Sequence, residues 1–304
     1  MKFITGQTES LPFVGVLTDG DRTVVDLHKA EQVMDRKEIV PSTMLEAINM
    51  GSMFIKRAEE ILSWIETQQD HPYSFDVEEV KLLAPIPRPA KNIFCIGKNY
   101  RDHAIELGSE KDVPEAPIIF SKSPTAVVGH QAPVHLHKHV TAQLDYEGEL
   151  AVIIGKKGRA ITEEDAFQHI FGYTILNDVT ARDLQQKHKQ YLLGKSLDTS
   201  CPIGPWIVHR SQIPEPAKLK IETRINGEVR QQGSLNELLF TIPYLISIIS
   251  RGMTLEPGDI IATGTPAGVG KGMKPPRFLK AGDLMEITIP EIGTLSNMVT
   301  DEGQ

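Results

Sequence analysis

Apolar and polar positions in this chain predict many short strands and few helices. FVGVLTDGDRTVVDL reads as two strands joined at Asp19-Gly20, a dipeptide that tolerates positive φ. In MLEAINMGSMFIKRAEEILSWIE the apolar residues return every three or four positions, the helical period. LLAPIPRPAKN, with Pro85, Pro87 and Pro89, then forms a semi-rigid boundary. The unbroken apolar run NIFCIG suits a buried strand, and KNYRDHAIELG a short helix closed by Gly108.

From about residue 117 onward strand-like runs dominate: APIIF, SPTAVVG, LDYEGELAVIIG, FGYTILNDV, GPWIVH, LKIETRING, GDIIATGT and DLMEITIPEIGTLSN. Two segments with helical period interrupt them, TEEDAFQHI with Thr162 as N-cap, and ELLFTIPYLISIIS. Strands this frequent, separated by turn residues, predict a mixed α/β fold that is mainly β rather than alternating β-α units. The organisation expected is a small N-terminal α+β domain over residues 1–85 and a larger domain over 86–304.

Composition narrows the function. A net charge of −8 argues against a nucleic-acid partner, because that affinity comes from clustered Lys and Arg. No apolar run approaches the ~20 residues of a membrane span, and MKFITGQTES lacks the apolar core of a leader peptide. Cys95 and Cys201 form neither a C-x-x-C pair nor a disulfide framework, which fits a reducing cytoplasm.

Candidate chemistry gathers in a few stretches. On a strand, Asp145, Glu147 and Glu149 of QLDYEGELAVIIG would share one face. Two carboxylates about 4 Å apart repel by roughly 4 kcal/mol at an effective dielectric near 20. Such a face either holds a cation or meets water. Asp178, just after YTILN, would give Glu147 and Glu149 a third oxygen donor, a set suited to Mg²⁺ or Mn²⁺; alternatively it caps the helix after it. His103 and Glu106 stand three apart in DHAIE. On a helix they could act together in proton transfer or form a plain surface ion pair.

TGTPAGVGKG is not a phosphate loop, since Lys271 is followed by Gly272 rather than Ser or Thr. Its backbone N–H groups, with Thr263 and Thr265, could bind a small carboxylate, or the loop is simply a tight turn. The histidines of HLHKH (His135, His137, His139) read as a metal site or as a solvated edge, and Cys201 as packing. Neither G-x-S-x-G nor H-E-x-x-H occurs, so the serine-hydrolase and zincin readings drop out.

Together, IGKNYRDHAIELG, DYEGELAVIIGKKGR, GYTILNDVTARDLQ, GKSLDTSCPIGP and DIIATGTPAGVG resemble the fumarylacetoacetate hydrolase superfamily. The likeness spans about residues 90 to 300, and is greatest to the branch of acylpyruvate hydrolases and oxaloacetate decarboxylases. It implies a β-roll catalytic domain paired as a homodimer. It also implies Mg²⁺ or Mn²⁺ on Glu147, Glu149 and Asp178, with Asp145 as a neighbour. His103 and Glu106 would be the catalytic dyad on a lid segment, with Lys195 as a further catalytic group. Lys122, Arg182, Gln185 and Thr265 would contact or orient the bound acid. The reaction implied is C–C cleavage in a small 2-oxo acid, foremost oxaloacetate decarboxylation to pyruvate and CO2. Acylpyruvate or fumarylpyruvate hydrolysis, and isomerisation or decarboxylation of a 5-carboxymethyl-2-hydroxymuconate, are the alternatives. The fourth, upstream acidic ligand of the fumarylacetoacetate-cleaving members has no counterpart in residues 1–90, which puts that substrate in doubt.

Overall fold

The computed structural model describes residues 1–8 and 11–301; the last two positions of MKFITGQTES, read above for a leader, lie outside them. Its N-terminal part runs β1 (Lys2–Gln7), β2 (Phe13–Thr18), β3 (Thr23–Asp26), α1 (Leu27–Asp35), α2 (Met44–Met50), α3 (Ser52–Ile65), β4 (Ser74–Asp76) and β5 (Lys81–Leu82). Strand β2 turns into β3 as expected, through Asp19, Gly20 and Asp21, all at positive φ.

The helical periodicity from residue 44 is borne out as two helices. Gly51, at φ 56° and ψ −124°, ends α2 and starts α3, a left-handed conformation in which glycine avoids the Cβ clash. Helix α1, which the apolar pattern did not single out, is fixed by Asp26, whose side chain accepts the Lys29 N–H, an N-cap.

The remainder runs β6 (Ile93–Gly97), α4 (Arg101–Glu106), β7 (Ile118–Lys122), β8 (Val127–Val128), β9 (Val134–His135), β10 (Leu144–Asp145), β11 (Gly148–Ile154), β12 (Ile170–Asn177), β13 (Thr180–Ala181), α5 (Arg182–His188), α6 (Leu192–Lys195), β14 (Cys201–His209), β15 (Lys220–Ile225), β16 (Glu228–Ser234), α7 (Ile242–Ser250), β17 (Ile260–Ala262), β18 (Leu284–Ile289) and β19 (Gly293–Thr300). TEEDAFQHI makes only a 3-10 turn, Ala166–His169, although Thr162 does accept the Asp165 N–H. The later helix begins at Ile242, where Thr241 caps it, rather than at ELLF.

The large sheet has the order β4-β3-β2-β1-β14-β12-β11-β17-β6-β7, and a second sheet the order β16-β15-β18-β19-β9. The N-terminal strands join the large sheet through β1 and β14, with Lys2 opposite Val208 and Phe3 opposite Ile207. Strand β11 is buried along its whole length. Ala151 and Ile153 enter the cluster under α2 and α3 with Phe3, Ile48 and Phe54. Leu150, Val152 and Ile154 enter the cluster formed with α7 and the second sheet. Burial on both faces explains why β11 reads as a continuous apolar run.

This topology gathers four strand ends at one rim. Strands β11 and β12 are antiparallel, with Gly148 opposite Asn177, so the start of one meets the end of the other. Strand β17 is antiparallel to β11 and parallel to β6, which brings Thr263–Thr265 and Lys98 to the same rim.

Candidate active site and metal centre

The acidic strand predicted from residue 144 is interrupted. Strand β10 stops at Asp145 and β11 begins at Gly148, so the three acids do not share a regular strand face. Asp145 turns instead to Arg182 Nε at 2.8 Å and to the N–H groups of Gly270 and Lys271 at 2.7 and 3.0 Å. Glu147 is held beside Asp178 through its own backbone: its N–H donates to the Asn177 side chain at Oδ1, and the Asp178 N–H donates to its carbonyl.

Glu147, Glu149 and Asp178 each offer an oxygen within 4.8 Å of the others, all buried. Among the described residues they are the one such group of His, Cys, Asp or Glu; the HLHKH histidines do not form another. Asp178 is not the cap of α5 either, because Ala181 occupies that position with no side-chain bond.

Cations are distributed unevenly around the three carboxylates. Lys195 Nζ lies 2.7 Å from Glu147 and 2.6 Å from Asp178. Lys122 Nζ lies 2.7 Å from Asp178, and Arg182 Nη1 2.7 Å from Glu147. Glu149 has no cation among the described residues; it accepts the Gly264 N–H at 2.7 Å. That N–H is in place because Gly264 has φ 103°, where a Cβ would come within 2.7 Å of the Asn99 side chain.

The protonation states follow. Burial alone would raise Glu147, but Lys195 and Arg182 outweigh it and hold the group below the carboxylate range. Burial, reinforced by Asp178 and Glu147, pushes Glu149 well above that range. A buried carboxylate driven towards its neutral form by two neighbouring carboxylates is a place where a cation would be stabilised. The donor set is all oxygen, as Mg²⁺ and Mn²⁺ prefer. The residues therefore fit a divalent ion.

A cavity of about 210 Å³ opens on Glu147 and Glu149, lined also by Arg182, Lys195, His103 and Thr265 among others, with Asp178 buried behind them. Arg182 is 1% exposed, and its Nη2 has no hydrogen-bond partner. Lys195 also lies over the Phe120 ring, 4.8 Å from its centre. Gln185, on the cavity wall, accepts from Arg182 Nη1 at 3.2 Å.

His103 is buried on α4, with Nδ1 3.4 Å from Glu106 Oε2. Glu106 in turn accepts the Gly268 N–H at 2.9 Å. Neither Glu106 nor Lys122 lines the cavity: Glu106 sits behind His103, and Lys122 is fully buried behind Asp178 with a second bond to Val179 O.

The glycine loop proves to be occupied from within. Its N–H groups at Gly264, Gly268, Gly270 and Lys271 bind Glu149, Glu106 and Asp145. The loop therefore orients protein carboxylates rather than offering those N–H groups to a free acid. Thr265 donates to Gly148 O and receives a bond from Gln231 Nε2. Gln231 also accepts the Gly148 N–H. Sequence reasoning missed Gln231 and Asn177, since a lone amide in a polar strand or at a strand end carries no pattern.

Comparison with known proteins agrees with this geometry. The family described as Fumarylacetoacetate (FAA) hydrolase C-terminal matches residues 92–300. The oxaloacetate tautomerase YisK of Bacillus subtilis is 57% identical over 301 residues, covering 98% of this chain and 100% of that protein. A solved fumarylacetoacetate hydrolase from Exiguobacterium antarcticum is 42% identical with a TM-score of 0.82, covering 99% of this chain and 100% of that one. A 5-carboxymethyl-2-hydroxymuconate delta-isomerase from Mycobacterium smegmatis is 32% identical with a TM-score of 0.75, both chains covered in full. Among the described residues no helix is long and apolar enough to cross a membrane.

Proposed function

The chain belongs to the fumarylacetoacetate hydrolase family, and from that premise we propose that it interconverts the enol and keto forms of a small 2-oxo acid of the oxaloacetate type. The observation that carries this reading is the orphaned Nη2 of buried Arg182 at a cavity wall shared with Lys195 and His103. A buried donor left without a partner costs about 1–3 kcal/mol, and an acid's oxygen would relieve that cost. The name of the relative 57% identical to this chain favours tautomerisation among reactions that pass through an enolate.

Glu147, Glu149 and Asp178 would hold Mg²⁺ or Mn²⁺. When bound, such an ion supplies Lewis-acid stabilisation of negative charge on a 2-oxo acid. The chain's own groups divide the remaining work. His103 takes the proton from C3, and the C–H electron pair becomes the C2–C3 double bond of the enolate. Arg182 and Lys195 stabilise the oxyanion at C2. The same proton returns to that oxygen, giving the enol, and the reverse order gives the keto acid. Glu106 holds the imidazole by Nδ1 and leaves Nε2 for the substrate. The Gly268 N–H keeps Glu106 in position.

Decarboxylation, placed first by the family resemblance, breaks the C3–C4 bond instead: C4 leaves as CO2, its bonding pair forms the C2–C3 double bond of pyruvate enolate, and the same cations would stabilise the oxyanion at C2. The decisive assay follows enol absorbance and pyruvate release side by side, with Glu147→Ala protein plus metal as the blank. Loss of enol signal without pyruvate supports tautomerisation. Pyruvate formed in step with enol loss makes the protein a decarboxylase, and neither signal above the blank overturns both readings. The proposal extends to a homodimer in the cytoplasm, with residues 1–85 as the smaller unit.

A further inference from the structure

Beyond the triad, the cavity wall carries a second charge pattern made by Lys98 and Lys271. Lys98 directly follows β6 with φ 53°. A non-glycine residue in this region is uncommon, and such residues are concentrated at functional sites. Its ammonium is 3.7 Å from the half-exposed Asp112.

Lys271 is positioned by Asp145, whose Oδ2 accepts both its backbone N–H and Arg182 Nε, at 3.0 and 2.8 Å. One carboxylate oxygen therefore ties Lys271 to Arg182. Lys98, Lys122, Arg182 and Lys195 each have a carboxylate partner. Among the described residues, the Lys271 ammonium has none, although it is half-buried. Burial, then the charges of Arg182 and Lys98, lower its pKa, and Asp145 opposes them. An unpaired cation pressed among cations is unfavourable until an anion arrives.

We infer that Lys271, with Lys98 beside it, binds the carboxylate remote from the 2-oxo end of the substrate and so selects dicarboxylic over monocarboxylic 2-oxo acids. The inference rests on the tautomerase reading, in which Arg182 and Lys195 take the 2-oxo end. Asp145 Oδ2 anchors the Lys271 backbone beside Arg182 Nε, and both side chains line the one cavity. The role is one of specificity: neither lysine takes part in the proton transfer.

The test compares wild-type protein with Lys271→Met and Lys271→Arg. Exchange of C3 hydrogens for deuterium, followed by NMR with Mn²⁺ or Mg²⁺ present, is measured for oxaloacetate and for 2-oxobutanoate, which lacks the second carboxylate. A charge-assisted bond predicts that Lys271→Met lowers the diacid-to-monoacid ratio of kcat/KM by about 10- to 100-fold, chiefly through KM, and that Lys271→Arg restores most of it. An unchanged ratio overturns the inference.

Calorimetric titration with malate and with 2-hydroxybutanoate, which do not react, separates this claim from the tautomerase reading. If wild-type protein exchanges neither 2-oxo acid, that reading fails. A malate preference lost in Lys271→Met would still uphold the diacid site. Equal binding of the two hydroxy acids by wild-type protein overturns it.

Discussion

Two buried glutamates, Glu31 on α1 and Glu149 on β11, differ in how fully their charge is satisfied. Glu31 on α1 is fully buried and accepts from Arg57 Nε at 2.6 Å and from the N–H groups of Ile39 and Val40 at 2.8 and 2.9 Å. Arg57 also bonds Asp35 and Glu60, which reach towards solvent. That network is closed: its buried acid has a cation and two backbone donors, and its surplus charge lies outside. Glu149 is 1% exposed, accepts a single N–H, and has two more carboxylates within 4.8 Å at the edge of a cavity. Burial is the same and satisfaction is not. An acid left short of partners at a cavity wall is a candidate for a ligand contact.

The largest expected effect breaks the comparison at its open end. Glu149→Gln should remove metal binding and bring turnover down to the rate of free metal alone. It should also raise the Tm of chelator-treated protein near neutral pH, because the carboxylate with no cation is gone. Turnover above that background would show that Glu149 is not a ligand. His103→Ala comes next. Loss of a positioned acid–base group predicts a fall in rate of about 10²- to 10⁴-fold, with metal affinity by calorimetry unchanged. Collapse of metal binding instead would place His103 in the metal site.

The closed network should respond with the opposite sign. Removing one partner of a buried ion pair typically costs about 3–5 kcal/mol. Glu31→Gln should therefore lower stability by that amount in denaturant titration, while turnover per folded molecule stays at the wild-type value. A stability unaffected by Glu31→Gln would mean that the two buried glutamates do not differ as described.

Legibility in the sequence follows the same divide between local and distant causes. The triad is readable because Glu147 and Glu149 lie in one short stretch and Asp178 ends the apolar strand that pairs with it. The apolar run of β11 announces a strand covered on both faces. The pairing of β1 with β14 is not readable, because nothing in KFITGQ names a partner some two hundred residues away. Strand β16, EVRQQGS, escapes for another reason: it is an edge strand with mostly polar, partly exposed positions, so no period of two stands out. Gln231 sits in that strand, and its place in the site was lost with it. In the sequence Lys271 stands out only for failing a phosphate-loop pattern. Its proximity to Arg182 depends on Asp145 bonding both, a tertiary relation that spacing does not encode.

The smallest effect concerns pH, and it sharpens the contrast without touching turnover. In chelated protein the Glu149 pKa is raised above its ordinary 4.5 by burial and then by Asp178 and Glu147. The folded state therefore keeps a proton that the unfolded chain has lost. Stability from this group is complete below pH 4.5 and is lost as pH rises through the folded value, at no more than about 1.4 kcal/mol per pH unit. His209 acts in the other direction: burial holds it down at about 4 against an ordinary 6.5, so its neutral folded form gains stability as pH rises between those values. Subtracting the curve of Glu149→Gln cancels His209, a distant site, and leaves Glu149 together with its repulsion of Asp178 and Glu147. Calorimetric Tm values for the two proteins in chelator should thus agree near pH 5 and part as pH rises, with wild type the lower. Adding Mn²⁺ should lift wild type above the variant, because the ion replaces the proton on Glu149 and metal binding then strengthens with pH. Parallel curves in chelator would mean that Glu149, like Glu31, already has all the partners it needs.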